Sequence, residues 1–264
     1  MYQSDNKIIA QQLSAGYSAD EVIKNLDLKI TGGSITAVIG PNGAGKSSLL
    51  KALARKLKPK SGSVLLDGIS LSSIPKSQLE TQIGTLASMP TARSTETVFE
   101  YVAKSAMSAE GISRVSPRLR EQIDFLLERT GLSPMKNKKV GELSTGGRQC
   151  AVIASALVRS PDVLLLDEPT NSLDYSHQLQ VINLLSSLKR ERGMTIVAVI
   201  HDLNLAARFA DQVVVMRDGK ILAQGQPKDV ITPTNLASAF NILARVIEDP
   251  VGKTPLVVPI RQLD

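Results

Sequence analysis

Two patterns of apolar positions share this chain. Short apolar runs broken by glycine or polar residues fill its first 90 residues, and Lys7–Leu13, Val22–Ile30, Ser34–Ile39, Ser63–Leu66 and Gln82–Met89 are expected to be strands. One helix is expected among them, Ser47–Leu57, opening directly after a glycine-rich turn and stopped by Pro59. From Thr97 to Val158 the spacing becomes helical, with Val98, Tyr101 and Val102 in one segment and Leu119, Ile123, Leu126 and Leu127 in another, separated by Gly111–Pro117. Beyond it, apolar runs at Val163–Leu166, Thr195–Ile200 and Gln212–Met216 alternate with the amphipathic segments Gln178–Lys189 and Leu203–Phe209. That alternation predicts a parallel sheet with crossover helices. Arg217–Lys220, set between Val213–Met216 and Ile221–Ala223, predicts a hairpin. The proline-punctuated stretch from Ile231 onward has no assigned element. The organisation expected is one domain over 1–264: a core of 1–90 and 160–230, an inserted helical part at 91–159, and a tail at 231–264.

Composition narrows the class. With 264 residues, 42% hydrophobic and 21% charged, the chain can build a sizeable core, which must be aliphatic because aromatics are 3% and tryptophan is absent. A single cysteine, Cys150, cannot form an internal disulfide and points to a reducing compartment. The apolar runs are too short to cross a membrane, and Met1–Asp5 carries no basic stretch leading into an apolar one, so a cytosolic protein is expected. A net charge of +6 and a pI near 9.4 favour anionic partners without choosing among nucleotide, nucleic acid and lipid.

The chemistry sits at two places. Gly40-Pro41-Asn42-Gly43-Ala44-Gly45-Lys46-Ser47, followed by Ser48, fits G-x-x-x-x-G-K-[ST] between an apolar strand and a helix. Glycines there let successive N–H groups converge at the positive end of the helix, a cradle for polyphosphate. Lys46 is then expected to reach the β- and γ-phosphates, and the Ser47 hydroxyl to be one ligand of Mg²⁺. Further on, the apolar run Val163–Leu166 ends in Asp167 and Glu168, at the strand edge where α/β sheets bind ligands. Asp167 is suited to hold the metal and Glu168 to polarise an attacking water. His201 ends the next apolar run, beside those carboxylates.

These residues together resemble the nucleotide-binding subunits of ATP-binding cassette (ABC) transporters. Leu143-Ser144-Thr145-Gly146-Gly147-Arg148-Gln149 is similar to the family signature LSGGQ, departing at Thr145 and Gly147. Ser172-Leu173-Asp174 is similar to the D-loop, His201 falls at the family's switch histidine, and Tyr17 where an aromatic stacks on adenine. His177 is expected to be a surface helix residue. The resemblance implies an α/β fold: a P-loop nucleoside-triphosphatase core with a parallel sheet, an antiparallel β subdomain and an inserted α-helical signature subdomain. It implies ATP hydrolysis with Mg²⁺, catalytic roles for Glu168, His201 and Lys46, and a head-to-tail dimer in which Ser144–Gly147 of one subunit closes on the ATP held by Gly40–Ser47 of the other. Ser144 and the N–H groups after it precede the apolar helix Val152–Val158, a second anion site at a helix end.

One departure stands out. Where the family carries a glutamine that reaches Mg²⁺ and contacts the membrane partner, this chain has Thr91, a candidate third metal oxygen with a shorter reach. Altered coupling or slower turnover is expected rather than loss of ATP binding. The segments Asp229–Leu236 and Asp249–Pro255 are similar to importers of iron–siderophore, haem and cobalamin complexes, which implies a separate permease, a solute-binding protein and a location on the cytoplasmic face of the cell membrane, with no direct nucleic-acid partner. Two other classes stay open at this point: a soluble ABC protein acting on nucleic acid or ribosomes, and a weakly hydrolysing regulatory cassette.

Overall fold

The structure, a computed structural model, describes residues 5–18, 20–86, 90, 91, 93–110, 114–171 and 173–263. In chain order they form β1 (Asn6–Ala15), β2 (Ile23–Thr31), β3 (Ile35–Ile39), α1 (Lys46–Leu53), β4 (Pro59–Leu66), β5 (Ile69–Ser70), α2 (Lys76–Gln82), β6 (Ile83–Thr85), α3 (Val98–Glu110), α4 (Pro117–Arg129), α5 (Thr145–Leu157), β7 (Val163–Asp167), α6 (Tyr175–Arg192), β8 (Thr195–Val199), α7 (Leu203–Phe209), β9 (Gln212–Arg217), β10 (Lys220–Gly225), α8 (Pro227–Val230), α9 (Pro233–Phe240), β11 (Ile242–Glu248) and β12 (Pro255–Gln262). They divide into two compact units, Met1–Ile74 with Leu166–Glu168 and Thr195–Asp264, and Pro75–Leu165 with Pro169–Met194. The second unit takes in more than the helical 91–159 segment, since α2, β6, most of β7 and α6 belong to it.

In the first unit β3 runs parallel to β8 on one side and β9 on the other, and β10 closes on β9 antiparallel, giving the order β10-β9-β3-β8. All five residues of β3 and all five of β8 are buried, as strands covered on both faces must be. An antiparallel sheet of order β2-β1-β4-β5 completes the strands of the core, and α1 packs against β1, β4 and β8. The predicted hairpin is present: Asp218 and Gly219 both have positive φ, 51° and 81°, which the tight turn between β9 and β10 requires.

The second unit holds β6 parallel to β7 in the register Ile83↔Val163, Gly84↔Leu164, Thr85↔Leu165. It packs α3, α4 and α5 on one another through Val98, Val102, Ile123, Leu127 and Ile153, each fully buried. Each such aliphatic side chain contributes about 1.5–3 kcal/mol of burial free energy, so an aliphatic interior without tryptophan suffices.

Several elements differ from the sequence reading. The expected helix Ser47–Leu57 is shorter, because Arg55 takes a left-handed φ of 56° and the N–H groups of Lys56 and Leu57 both return to the Lys51 carbonyl; Pro59 then opens β4. Gln82 ends helix α2 instead of starting a strand, the strand is Ile83–Thr85, and residues 87–89 of that expected strand lie outside the described residues. The tail is ordered as α9 and the β11–β12 hairpin, following the short helix α8. Three of its prolines fall where they are tolerated: Pro233 in a first helical turn, Pro255 at a strand start and Pro259 on an edge strand. No helix among the described residues is long and apolar enough to cross a membrane.

Candidate functional site

The first unit gathers the phosphate loop and both carboxylates. Gly45 is the N-cap of α1 in the left-handed region, φ 96° and ψ 6°, and offers no side-chain cap. A glycine is needed to turn from loop to helix in this way, and the turn leaves the first N–H groups of α1 facing the loop. Lys46 is buried, its ammonium donating to the carbonyls of Gly40 and Pro41, 2.8 Å each. Burial pushes the Lys46 ammonium below the ordinary lysine range, while the charges of Glu168 and Asp167 act in the opposite sense. The Ser47 hydroxyl donates to Asp167 Oδ1 at 3.0 Å, so the two residues read as metal ligands are in contact. Two hard oxygens about 3 Å apart match neighbouring positions of an octahedral ion with bonds near 2.1 Å, the preference of Mg²⁺, which usually keeps waters and phosphate oxygens in its other positions. No group of three or more His, Cys, Asp or Glu suited to a metal occurs among the described residues.

Glu168 follows β7 with a left-handed φ of 51°, an uncommon conformation for a residue with a Cβ, of the kind that concentrates at functional sites. Its Oε1 lies 2.5 Å from Nε2 of His201, and both side chains are partly exposed. Asp167 and Glu168 therefore have separate partners, Ser47 for one and His201 for the other. A carboxylate held by an imidazole can orient a water and take its proton. Tyr17 is 47% exposed, and its oxygen accepts from Lys51 at 3.1 Å. Hydrogen bonds from Lys51 and then Ser48 hold this phenol below the usual tyrosine range. Lys51 was missed from sequence, although its place on α1 one turn beyond Ser47 and Ser48 was the signal for it.

The second unit carries the signature. Ser144 is the N-cap of α5 and accepts from Gly147 N–H at 3.1 Å, confirming a helix end at this segment. Arg148 ties the segment together by donating to the Leu143 carbonyl at 2.8 Å and to Thr145 Oγ1 at 3.4 Å; Gln149 is buried. Asp174 caps α6, accepting from the His177 N–H at 2.9 Å and lying 2.9 Å from its Nδ1 through either carboxylate oxygen. These bonds, the backbone one first, hold the Asp174 carboxyl below the usual range. The Leu173 carbonyl accepts from Gln178 at 3.1 Å, and Ser172 lies outside the described residues. Thr91 is exposed, its carbonyl accepting from Ser94 N–H at 3.0 Å. Cys150 is buried, and burial pushes its thiol up to about 11, which makes it a packing residue and not a nucleophile.

The family model described as ABC transporter matches residues 23–171, a span that holds the loop, the signature and both carboxylates. The chain belongs to the ABC transporter family. It is an ATPase of that family, similar in sequence to the ferric enterobactin transport ATP-binding protein FepC of Escherichia coli (strain K12), 40% identical over 98% of this chain and 96% of that protein. It is also similar to the probable siderophore transport system ATP-binding protein YusV of Bacillus subtilis (strain 168), 39% identical over 96% of this chain and 92% of the relative. Among solved structures it resembles the dimeric bacterial ABC transporter cassette MJ0796, with a TM-score of 0.72 and 27% identity over 83% of this chain and 98% of that one. The fold expected from the sequence, a P-loop ATPase with parallel and antiparallel sheets, is the one these cassettes have.

Proposed function

We propose that this ABC ATPase drives import of an iron–siderophore complex, working as one of two paired cassettes on a separate permease at the cytoplasmic face of the membrane, with a solute-binding protein delivering the cargo. The relatives named for ferric enterobactin and siderophore transport support this reading along nearly the whole chain. Haem and cobalamin complexes are the neighbouring cargo classes.

The observation that carries the ATPase mechanism is the cluster of Lys46, Ser47, Asp167, Glu168 and His201 around the start of α1. In this reading Gly40–Ser48 binds ATP through backbone N–H groups, Lys46 leaves its loop carbonyls for the β/γ-phosphates, and Tyr17 stacks on adenine. Ser47 and Asp167 would hold Mg²⁺, which would neutralise phosphate charge when bound, with Thr91 as a further candidate oxygen. Glu168, oriented by His201, takes the proton of the attacking water. Leu143–Gln149 of the partner subunit faces the same ATP, flanked by its D-loop Leu173 and Asp174. Closure on ATP and reopening after hydrolysis then move the permease.

The test is phosphate release by the purified chain and by its complex with the co-expressed permease, followed by uptake of radio-iron-labelled siderophore, haem or cobalamin into vesicles. Stimulated hydrolysis with siderophore uptake is expected. Haem or cobalamin uptake instead would overturn the cargo, and phosphate release indifferent to the permease would overturn the transport reading.

A further inference from the structure

We propose that His177 is a positioning residue: its imidazole clamps the signature helix to the D-loop aspartate, so that the two segments facing the partner's nucleotide move as one. The inference rests on reading Leu143–Gln149 as the site for the partner's ATP. Three observations within the second unit carry it.

The ring lies directly on Gly146. A Cβ built there would stand 2.3 Å from His177 Cδ2, 2.6 Å from Cγ and 3.0 Å from Nε2, the first two closer than real Cβ atoms come, so glycine at 146 admits the imidazole in this position. The other side of the ring is fixed, with Nδ1 2.9 Å from each Asp174 carboxylate oxygen while Asp174 Oδ1 also accepts the backbone N–H of His177. A residue placed three positions after its own cap thereby orients its side chain through the capping carboxylate. Finally, the contact falls within the first turn of α5, one residue before Gly147, whose N–H is bonded to Ser144 Oγ. The helix end that offers N–H groups to an anion is thus braced by a ring whose angle Asp174 sets. A surface histidine without a role would need neither the glycine beneath it nor the two-oxygen contact.

On this reading His177 acts through Gly146 and Ser144 rather than on the nucleotide itself. Its removal therefore leaves the subunit's own MgATP affinity, set by Gly40–Ser47, unchanged while weakening ATP-driven closure. For His177→Ala we expect a turnover number about tenfold lower, with the Michaelis constant within about twofold of wild type, equivalent to roughly 1.4 kcal/mol of lost transition-state stabilisation. His177→Asn keeps a donor for Asp174 but loses the ring over Gly146, and should fall between the two.

The discriminating measurement is a double-variant cycle. Gly146→Ala clashes with the ring in the parent and should reduce turnover and ATP-dependent dimerisation severely. In the His177→Ala background the three nearest atoms to that methyl are gone and alanine is the better helix former, so Gly146→Ala should there be neutral or restorative. All variants are compared by thermal unfolding and by MgATP titration, which report folding and the intact loop site. Equal penalties for Gly146→Ala in both backgrounds, or parental turnover and dimerisation in both His177 variants, would overturn the clamp. Failure of the underlying reading looks different: Ser144→Ala would then also leave dimerisation untouched.

Discussion

The starts of α1 and α5 apply the same physics in opposite states. Both are helix ends without an acidic residue in the first turn, and both direct backbone N–H groups outward at the positive end of the dipole. At α1 the cap is a left-handed glycine with no side chain to satisfy those donors, and a buried lysine waits beside them on two loop carbonyls. At α5 the cap is Ser144, whose hydroxyl already accepts from Gly147. The first end is an open receptor assembled by backbone alone. The second is closed on itself, so an incoming phosphate must replace or share a hydrogen bond that exists already. On the proposed function the difference predicts an order: nucleotide is expected to load at Gly40–Ser47 first, and the signature to engage when a phosphate is presented to it.

The largest effect should come from Glu168→Gln, which leaves both helix ends intact but removes the carboxylate bonded to His201 that we propose as the proton acceptor. Turnover should fall by roughly 10²–10⁴ while ATP binding persists. With loading intact and hydrolysis blocked, ATP should hold the signature end closed, giving a dimer visible by size-exclusion chromatography with ATP. A monomer under those conditions would break the proposed order. Lys46→Ala comes next, acting only on the open end. The cation aimed at the β/γ-phosphates is lost from a loop whose other phosphate donors are neutral backbone N–H groups, and affinity for MgATP should fall by about 100-fold, close to the worth of one charge-assisted contact. Calorimetric titration decides it, and parental affinity would remove the loop from its role.

How much of this was legible in the sequence follows the same divide. The open end could be read because its chemistry is written in consecutive residues: the glycines, Lys46 and Ser47 must adjoin for the backbone to curl, and an all-apolar strand must precede the two carboxylates. The Ser47–Asp167 contact joins residues far apart in sequence, yet each was nameable from its local pattern. The contacts that set angles were not legible. Lys51 on Tyr17 and His177 on Gly146 depend on which side chains meet after helices pack, and a histidine on an amphipathic helix carries no local sign of what lies beneath it. The tail failed for another reason. Its prolines read as breaks, but Asn204 of α7 binds both backbone groups of Val257, Oδ1 accepting its N–H at 2.7 Å and Nδ2 donating to its carbonyl at 3.3 Å, so a side-chain amide anchors a short hairpin that periodicity alone could not predict.

Ser144→Ala sharpens the comparison at the closed end. Losing a serine cap costs about 1 kcal/mol, or roughly 2 °C in Tm for a chain of this size. If the hydroxyl also serves the partner's phosphate, ATP-dependent dimerisation of the Glu168→Gln form should weaken by about tenfold beyond that. A Tm loss with undiminished dimerisation would confine Ser144 to capping.

The smallest effect expected is at Thr91. A threonine oxygen reaches about two bonds less far than a glutamine amide, and the turn closed by Ser94 N–H on the Thr91 carbonyl fixes how far the backbone can compensate. Where the backbone does not compensate, that metal position relies on water, and Thr91→Gln supplies a held oxygen in its place. The gain is modest, because bridging water is enthalpically nearly as good as a direct contact. We expect hydrolysis with the permease present to rise about threefold, under 1 kcal/mol of barrier, with affinity for MgATP unchanged. If the backbone already brings residue 91 inward, the longer side chain overfills the site and the rate drops instead. A rate and a transport activity both equal to wild type would show that position 91 does not face the nucleotide, and the difference between the two helix ends would then account for turnover without it.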